Sequence, residues 1–344
     1  MDPAGARPVT TADRLLAVVD RFAGRRVAVV GDLIADEFLY GQLGRVSREA
    51  PVLILEYDTT QIVPGGAGNA ATNVAALGGR VRLVGMAGRD ETGDRMLEAF
   101  PSAVSAAGVA RPKAYRTPTK TRILAGGIHS AKQQVVRIDR GVRQALPAAL
   151  AADVGRRLMR AVERAEALLV SDYGSGLVTP ALVAPAAARA RARRIPVLVD
   201  SRYALTKYRG MTACTPNESE VEHLLGVKIG DDPRVLERGG RALLRRVGAR
   251  AVLVTRGSRG MALFEPGEKT RHIGIFGSDE IADVTGAGDT VIATMALALA
   301  AGATYYEAAR LANYAGGLVV MKRGTATVSA GELRGAIRQD ADRK

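Results

Sequence analysis

Residues 283–290 read DVTGAGDT and run directly into the apolar stretch VIATMALALAA (291–301). Glycines that open an apolar helix leave consecutive backbone N–H groups at its positive end, where they attract anions. A phosphate loop would follow such glycines with a lysine. Here Asp289 stands in that place. A carboxylate beside an anion cradle makes chemical sense as the acceptor of a proton from a hydroxyl that attacks phosphorus. It makes equal sense as a simple helix cap, so the rest of the chain has to decide. A cradle of this kind belongs at the carboxyl edge of an open α/β sheet.

Such a sheet is legible along most of the chain. Short β-branched runs recur as RVAVVGD (26–32), VRLVGMAG (81–88), ALLVSDY (167–173), PVLVDS (196–201) and RAVLVTRG (250–257). Each is a brief apolar run closed by a polar residue or glycine, as buried parallel strands are. Ala/Leu/Arg stretches with helical periodicity lie between them, which predicts a doubly wound α/β sheet with helices on both faces. Two regions, 50–66 and 115–140, instead alternate half-polar residues and predict a small antiparallel sheet, a lid or a dimer contact. Without a repeat or a long linker, 1–344 reads as one domain carrying that insertion, with frayed residues at 1–12 and in the closing QDADRK.

Composition removes several function classes. One cysteine, Cys214, excludes a disulfide framework and fits a reducing compartment. Three scattered histidines, His129, His223 and His272, offer no metal-ligand spacing. The start lacks a signal-peptide layout and the run 291–301 is too short to span a bilayer, so a cytoplasmic protein is expected. The net charge of +14 is carried by arginines spread through helical segments without interleaved aromatics. It reads as solvated helix faces rather than a nucleic-acid surface, and it favours anionic substrates.

Polar residues crowd the strand ends where ligands gather in such sheets. Asp32, Asp172 and Asp200 close strands, TPNESE (215–220) follows another, and Thr255 and Gly257 close the next. A second glycine-rich stretch, PGGAGNAATNVAALGG (64–79), leads into a helix with Gly65, Gly66 and Asn69 as candidate ligand contacts. It lacks the G-x-G-x-x-G order of a dinucleotide fold. Asn73 reads as a packing or capping residue.

Taken together, GGAGNAATN and DVTGAGDT resemble the two signatures of the ribokinase-like (PfkB) sugar kinases, in the expected order and over roughly residues 25–335. The resemblance implies that Asp289 is the catalytic base and that the amides of Gly286, Ala287 and Gly288 form the anion hole. It implies ATP with Mg2+, and leaves room for a monovalent cation. NESE then puts Asn217, Glu218, Ser219 and Glu220 near the nucleotide phosphates and magnesium, Glu220 through a water. Thr255 and Gly257 fall under the nucleotide and Asn313 beside the adenine.

Further segments are similar to the heptose 7-phosphate kinase branch of the family, the kinase half of heptose kinase–adenylyltransferases. They include GDLIADEFLYGQLGRVSREAPV (31–52), PTKTRIL (118–124), QQVVRIDR (133–140), LVSDYGSGLV (169–178) and KRGTATVSAGEL (322–333). That implies phosphorylation of the anomeric hydroxyl of D-glycero-D-manno-heptose 7-phosphate. Asp32 and Asp36 are then candidates for sugar hydroxyls, and Asp172 for sugar or metal. Lys120, Arg122 and Arg137 lie in the lid, the first two on one strand face, as candidates for the distal phosphate. Lid segments at about 38–62 and 114–140 and a homodimer paired through them follow, with a separate adenylyltransferase and phosphatase. The branch usually reads D-P-K where this chain has DSR (200–202), and the hairpin 125–134 looks slightly long. A kinase for another sugar, or a non-catalytic sugar or polyanion binder, are the competing readings.

Overall fold

The computed structural model describes residues 11–126, 132–141, 146–277, 283–322 and 324–342. In chain order the strands are β1 (Arg26–Gly31), β2 (Leu33–Val46), β3 (Leu53–Gly66), β4 (Arg80–Met86), β5 (Val104–Ala110), β6 (Thr119–Gly126), β7 (Gln133–Arg140), β8 (Ala167–Asp172), β9 (Val197–Ser201), β10 (Ala213–Cys214), β11 (Ala251–Thr255), β12 (Met261–Phe264) and β13 (Arg271–Ile273). The helices are α1 (Ala12–Asp20), α2 (Ala67–Ala76), α3 (Glu91–Glu98), α4 (Ala148–Val162), α5 (Pro180–Ala192), α6 (Glu218–Leu225), α7 (Pro233–Val247), α8 (Ala287–Ala300), α9 (Tyr305–Val320) and α10 (Ala330–Asp342).

A nine-stranded sheet has the order β13-β12-β11-β10-β9-β8-β1-β4-β5. It is parallel from β11 to β5, with β12 and β13 antiparallel at one edge. Strand alternation splits the interior into two cores. Val27 and Val29 pack with α1, α2, α8 and α9, while Ala28 and Val30 pack with α4, α5 and α7. The five expected strands are β1, β4, β8, β9 and β11, each within two residues of the expected bounds. Cys214 is buried in the second core, which pushes its thiol well up and keeps it inert.

The second sheet has four strands in the order β3-β2-β6-β7. Its hairpins are antiparallel, as expected, but β2 and β6 join them in parallel. The expectation of a purely antiparallel insertion is thus corrected, and the insertion begins at Leu33 rather than near residue 38. β2 mixes acidic and apolar residues and shows no clean alternation by itself; it becomes a central strand through partners on both sides. β7 is exposed along its whole length, and Leu43, Val46, Leu53, Tyr57, Val136 and Ile138 leave apolar surface open on this sheet.

Of the ends expected to fray, residues 1–10 and 343–344 lie outside the described residues, and the remainder joins α1 and α10. Thr11 caps α1, and α10 continues through Asp342, with Asp340 accepting the Tyr314 hydroxyl at 2.6 Å. His129 and the tip of the 125–134 hairpin lie outside the described residues. Among the described residues, no helix is long and apolar enough to cross a membrane.

Candidate active site

The site lies at the carboxyl ends of the parallel strands, where α8 begins. Asp289 is in the first turn of α8 and is buried. Its Oδ2 accepts the Asn69 amide at 2.9 Å and its Oδ1 accepts the Tyr173 hydroxyl at 2.9 Å. Burial pushes the carboxyl up to about 6; the Asn69 and Tyr173 hydrogen bonds oppose this, and the charge of Asp36 adds to it. A proton acceptor poised near neutrality suits general-base chemistry. Asn69 is itself held by a buried chain: Asn73 donates to its Oδ1 at 3.0 Å, and the Thr290 hydroxyl donates to Asn73 at 3.0 Å. This chain ties α2 to α8. Gly286 has φ +79°, and a Cβ there would stand 2.4 Å from the Asn69 amide nitrogen, so only glycine lets the two helices meet.

One of the three amides expected in the anion cradle is engaged within the turn itself. The Ala287 N–H donates to the Val284 carbonyl at 3.2 Å, and Gly286 lends its carbonyl to Thr290. Gly288 and Asp289 follow in the first turn of α8, where helix N–H groups generally lack an intrahelical partner.

On the sugar side, Asp32, Asp36, Asn69 and Asp172 all have partners within the fold. Asp32 is buried and accepts the N–H groups of Tyr173 and Ser175 at 2.8 and 3.1 Å and the Ser175 hydroxyl at 2.5 Å. It holds the turn that carries Tyr173. Asp172, expected at sugar or metal, accepts the Gly174 N–H, the Ser201 hydroxyl and the Tyr208 hydroxyl. Asn69, expected at the ligand, spends its amide on Asp289 and on the Gly286 carbonyl. Asp36 is ion-paired to Arg122 at 2.5 Å with both side chains largely buried. Gly65 leaves room for it, since a Cβ there would fall 2.1 Å from the Asp36 carboxylate. Gly66, at φ +58°, turns the chain from β3 into α2.

The predicted cation trio stays together, with Arg122 and Arg137 opposite each other across β6 and β7 and both acting on Lys120, but two of the three are engaged by carboxylates. Arg122 serves Asp36, and Arg137 pairs with Asp139 on the exposed face of β7. Lys120 lies 5.3 Å from the Tyr173 ring centroid, joined there by Arg202 at 4.5 Å. These two residues, with Ser175 and Arg140, line a cavity of about 170 Å³. Burial and then the charge of Arg202 hold the Lys120 ammonium below its ordinary range. Two crowded cations thus stand on the ring of the tyrosine that bonds the buried base, with Asp139 also lining the cavity.

On the opposite side, Asn217 and Glu220 form a capping box at the start of α6, with mutual hydrogen bonds of 2.8 and 2.9 Å. Glu218, expected at the nucleotide, is gripped by Arg256 at 3.1 Å and by Arg259. Ser219 is exposed on the same turn. The Thr255 N–H donates to Pro216, which sets the 255–257 loop beside α6, and Gly257 turns it at φ +57°. Asn313 is buried on α9 and donates to the Gly274 carbonyl at 2.9 Å. Asp200, at the end of β9, is held well above the carboxylate range by burial and by the charges of Glu220 and Asp289. Burial likewise raises Glu220.

The pfkB family carbohydrate kinase signature matches residues 25–330. The chain belongs to the pfkB family of carbohydrate kinases. As a member it is a phosphotransferase that uses ATP and a sugar. This pfkB kinase is 42% identical over 321 residues to the bifunctional protein HldE of Geobacter metallireducens, covering 92% of this chain and 64% of that protein. It is 42% identical over 317 residues to HldE of Geobacter sulfurreducens, covering 90% and 62%. The chain thus spans less than two thirds of either relative's length. Its fold matches Arabidopsis thaliana ribokinase complexed with ribose and ATP, with a TM-score of 0.66, 22% identity and coverage of 92% and 98%. A putative ribokinase from Agrobacterium tumefaciens gives a TM-score of 0.72 at 23% identity, covering 94% and 100%.

Tyr173 lies within the quoted segment LVSDYGSGLV but was given no role by the sequence reading, because nothing local shows that its ring reaches Asp289. Burial and the Asp289 charge hold its hydroxyl protonated, hence a donor. Tyr173→Phe removes a bond to the charged form of Asp289, so the Asp289 pKa rises. The acid limb of the pH–rate profile is expected to move to higher pH, with kcat at pH 7 roughly two- to tenfold lower and recovering in alkali. An unmoved limb would remove Tyr173 from this role.

Proposed function

We propose that this kinase transfers the γ-phosphoryl group of ATP to the anomeric C1 hydroxyl of D-glycero-D-manno-heptose 7-phosphate, giving the 1,7-bisphosphate. The observation that carries the reading is the Lys120–Arg202 pair joined through the Tyr173 ring to Asp289. A substrate with a phosphate at one end and a reacting hydroxyl at the other fits that spacing of cations and base. The similarity to HldE proteins and to the heptose kinase branch supports the sugar.

In this mechanism Asp289 takes the C1 hydroxyl proton as the oxygen attacks the γ-phosphorus, and the bond to the β–γ bridging oxygen breaks to release ADP. The amides of Gly288 and Asp289 stabilise the charge on the transferred group. Asn69 and Tyr173 orient the base. Asn313, Thr255 and Gly257 bound the nucleotide side. Among the described residues no group of three or more His, Cys, Asp and Glu side chains is placed to hold a metal. This suits Mg2+, which keeps waters and binds through one or two carboxylates plus substrate phosphates. Asp200 and Glu220, whose carboxyls are raised chiefly by burial against the opposing charge of Arg202, fit that donor set and would hold it. The ion supplies neutralisation of the phosphate charge. A monovalent cation is a further expected component.

The product implies a phosphatase and an adenylyltransferase acting after this kinase domain, in the cytoplasm where ATP and sugar phosphates occur. We read the small sheet as the lid and as a homodimer contact, because its exposed apolar residues would be covered by a second copy. Light scattering should give a dimer for the native chain and a monomer for Val136→Glu/Ile138→Glu; a native monomer would sink the contact.

The direct test is ATP-dependent turnover of heptose 7-phosphate, both anomers, against other sugar phosphates and free sugars. Heptose 7-phosphate is expected to show the highest kcat/KM. A better substrate among the other sugars overturns the assignment.

A further inference from the structure

Away from the kinase site, at the amino ends of β9, β10 and β11, lies an open cleft of about 1250 Å³. Leu299, near the end of α8, forms part of its floor, whereas Asp289 is in that helix's first turn. At 1.5 Å per residue the helix separates the two by about 15 Å. Arg191, Arg194, Arg250 and Arg271 line the cleft together with Tyr305 and Tyr306. Two acids, Glu265 and Glu307, stand against these four arginines, and Glu307 is bound by Arg14 at 2.8 Å and by the cap of α9.

The arginines are placed rather than scattered. Gly210 lets the Arg191 guanidinium lie against the backbone, where a Cβ would collide with it, and Arg191 bonds the Arg209 carbonyl. Arg271 stacks 4.8 Å from the Tyr306 ring centroid, and Arg250 lies close enough to Tyr305 for its charge to act on the phenol. Arg194 has φ +57° and is the one non-glycine residue in the left-handed region among the described residues. It stands just past α5, with Ile195 N–H bonded back to Ala190, a helix ending that ordinarily takes glycine. A side chain there costs energy, and such strain points to a function for that side chain.

We propose that this cleft is a second ligand site that takes a nucleotide, its phosphates on Arg191, Arg194 and Arg250 and its base against the tyrosines. Planar guanidinium forks match phosphate oxygens, and tyrosine and arginine faces stack on a nucleobase. A concave site suits a small polyanion better than a duplex, which needs an open basic stripe. The site owes nothing to the identity of the sugar.

Photolabelling of the full chain with 8-azido-ADP, followed by peptide mapping, tests this. Two labelled regions are expected, one at the kinase site and one containing Tyr305 and Tyr306. Arg194→Gly should weaken labelling of the second roughly tenfold, leave the first unchanged, and raise Tm by roughly 1–3 °C as the backbone strain is relieved. Label confined to the kinase site overturns the proposal. Protection of the cleft by pyrophosphate as effective as by ADP overturns the assignment to a nucleotide. Neither readout requires turnover, so failure of the heptose assay would not be confused with failure here.

Discussion

Asp289→Asn is expected to lower kcat by about 10²–10⁴-fold and, at pH 7.5, to raise the melting temperature. Loss of activity follows because asparagine cannot accept the hydroxyl proton. The stability gain follows from the same burial that tunes the base. In the folded chain burial pushes Asp289 up to about 6 from its ordinary 3.8, so the native state holds that proton more tightly than the unfolded chain does. The stability it contributes is therefore full below about pH 4 and is lost as pH rises through about 6. Above that, the buried charge costs on the order of 2–3 kcal/mol relative to a neutral group. Asparagine preserves the packing: its oxygen can accept from Asn69, and its amide can donate to Tyr173. The variant should melt a few degrees higher at pH 7.5 and lose that advantage near pH 4. In the wild type, kcat/KM should fall tenfold per unit below about pH 6. A variant that melts no higher at neutral pH would show that burial is not what tunes this carboxyl.

Lys120→Met/Arg202→Met is expected to raise KM for the phosphorylated sugar by roughly 10²-fold or more while barely changing turnover of unphosphorylated sugars. A charge-assisted bond to phosphate contributes roughly 1.5–3 kcal/mol, or about tenfold to a hundredfold each. The ligand-free protein should not suffer, because Lys120 is held below its ordinary range by burial and by the nearby Arg202. Removing crowded cations relieves repulsion that only a bound anion would repay. A variant with wild-type KM for the sugar phosphate would eliminate these residues as its receptor. Equal losses with free and phosphorylated sugars would instead indicate damage around Tyr173.

Much of the framework was legible because it is local. Apolar runs closed by polar residues marked β1, β4, β8, β9 and β11, and each strand's alternation supplies both cores. The glycines before α8 and the carboxylate in its first turn could be read within eight residues. The small sheet was half legible: the hairpins were apparent, but the parallel join of β2 to β6 brings together strands far apart in sequence, and no local pattern records it.

The site was less legible for the same reason. Asp32, Asp36 and Asp172 look alike as carboxylates near strand ends, yet one holds a turn, one holds Arg122, and one accepts the hydroxyls of Ser201 and Tyr208. Which donors reach each carboxylate depends on the register of distant strands. Arg202, which stands where the branch usually has a phosphate-facing lysine, became the partner of Lys120 through the ring of Tyr173. The sequence by itself determined that a carboxylate would stand at the mouth of a glycine-rich helix start, because helix ends and their chemistry are short-range. Only the packing of α2 on α8, and of the 173–175 turn against both, decided the proton affinity of Asp289. That affinity is a balance of burial and hydrogen bonds from residues 116 and 220 positions away.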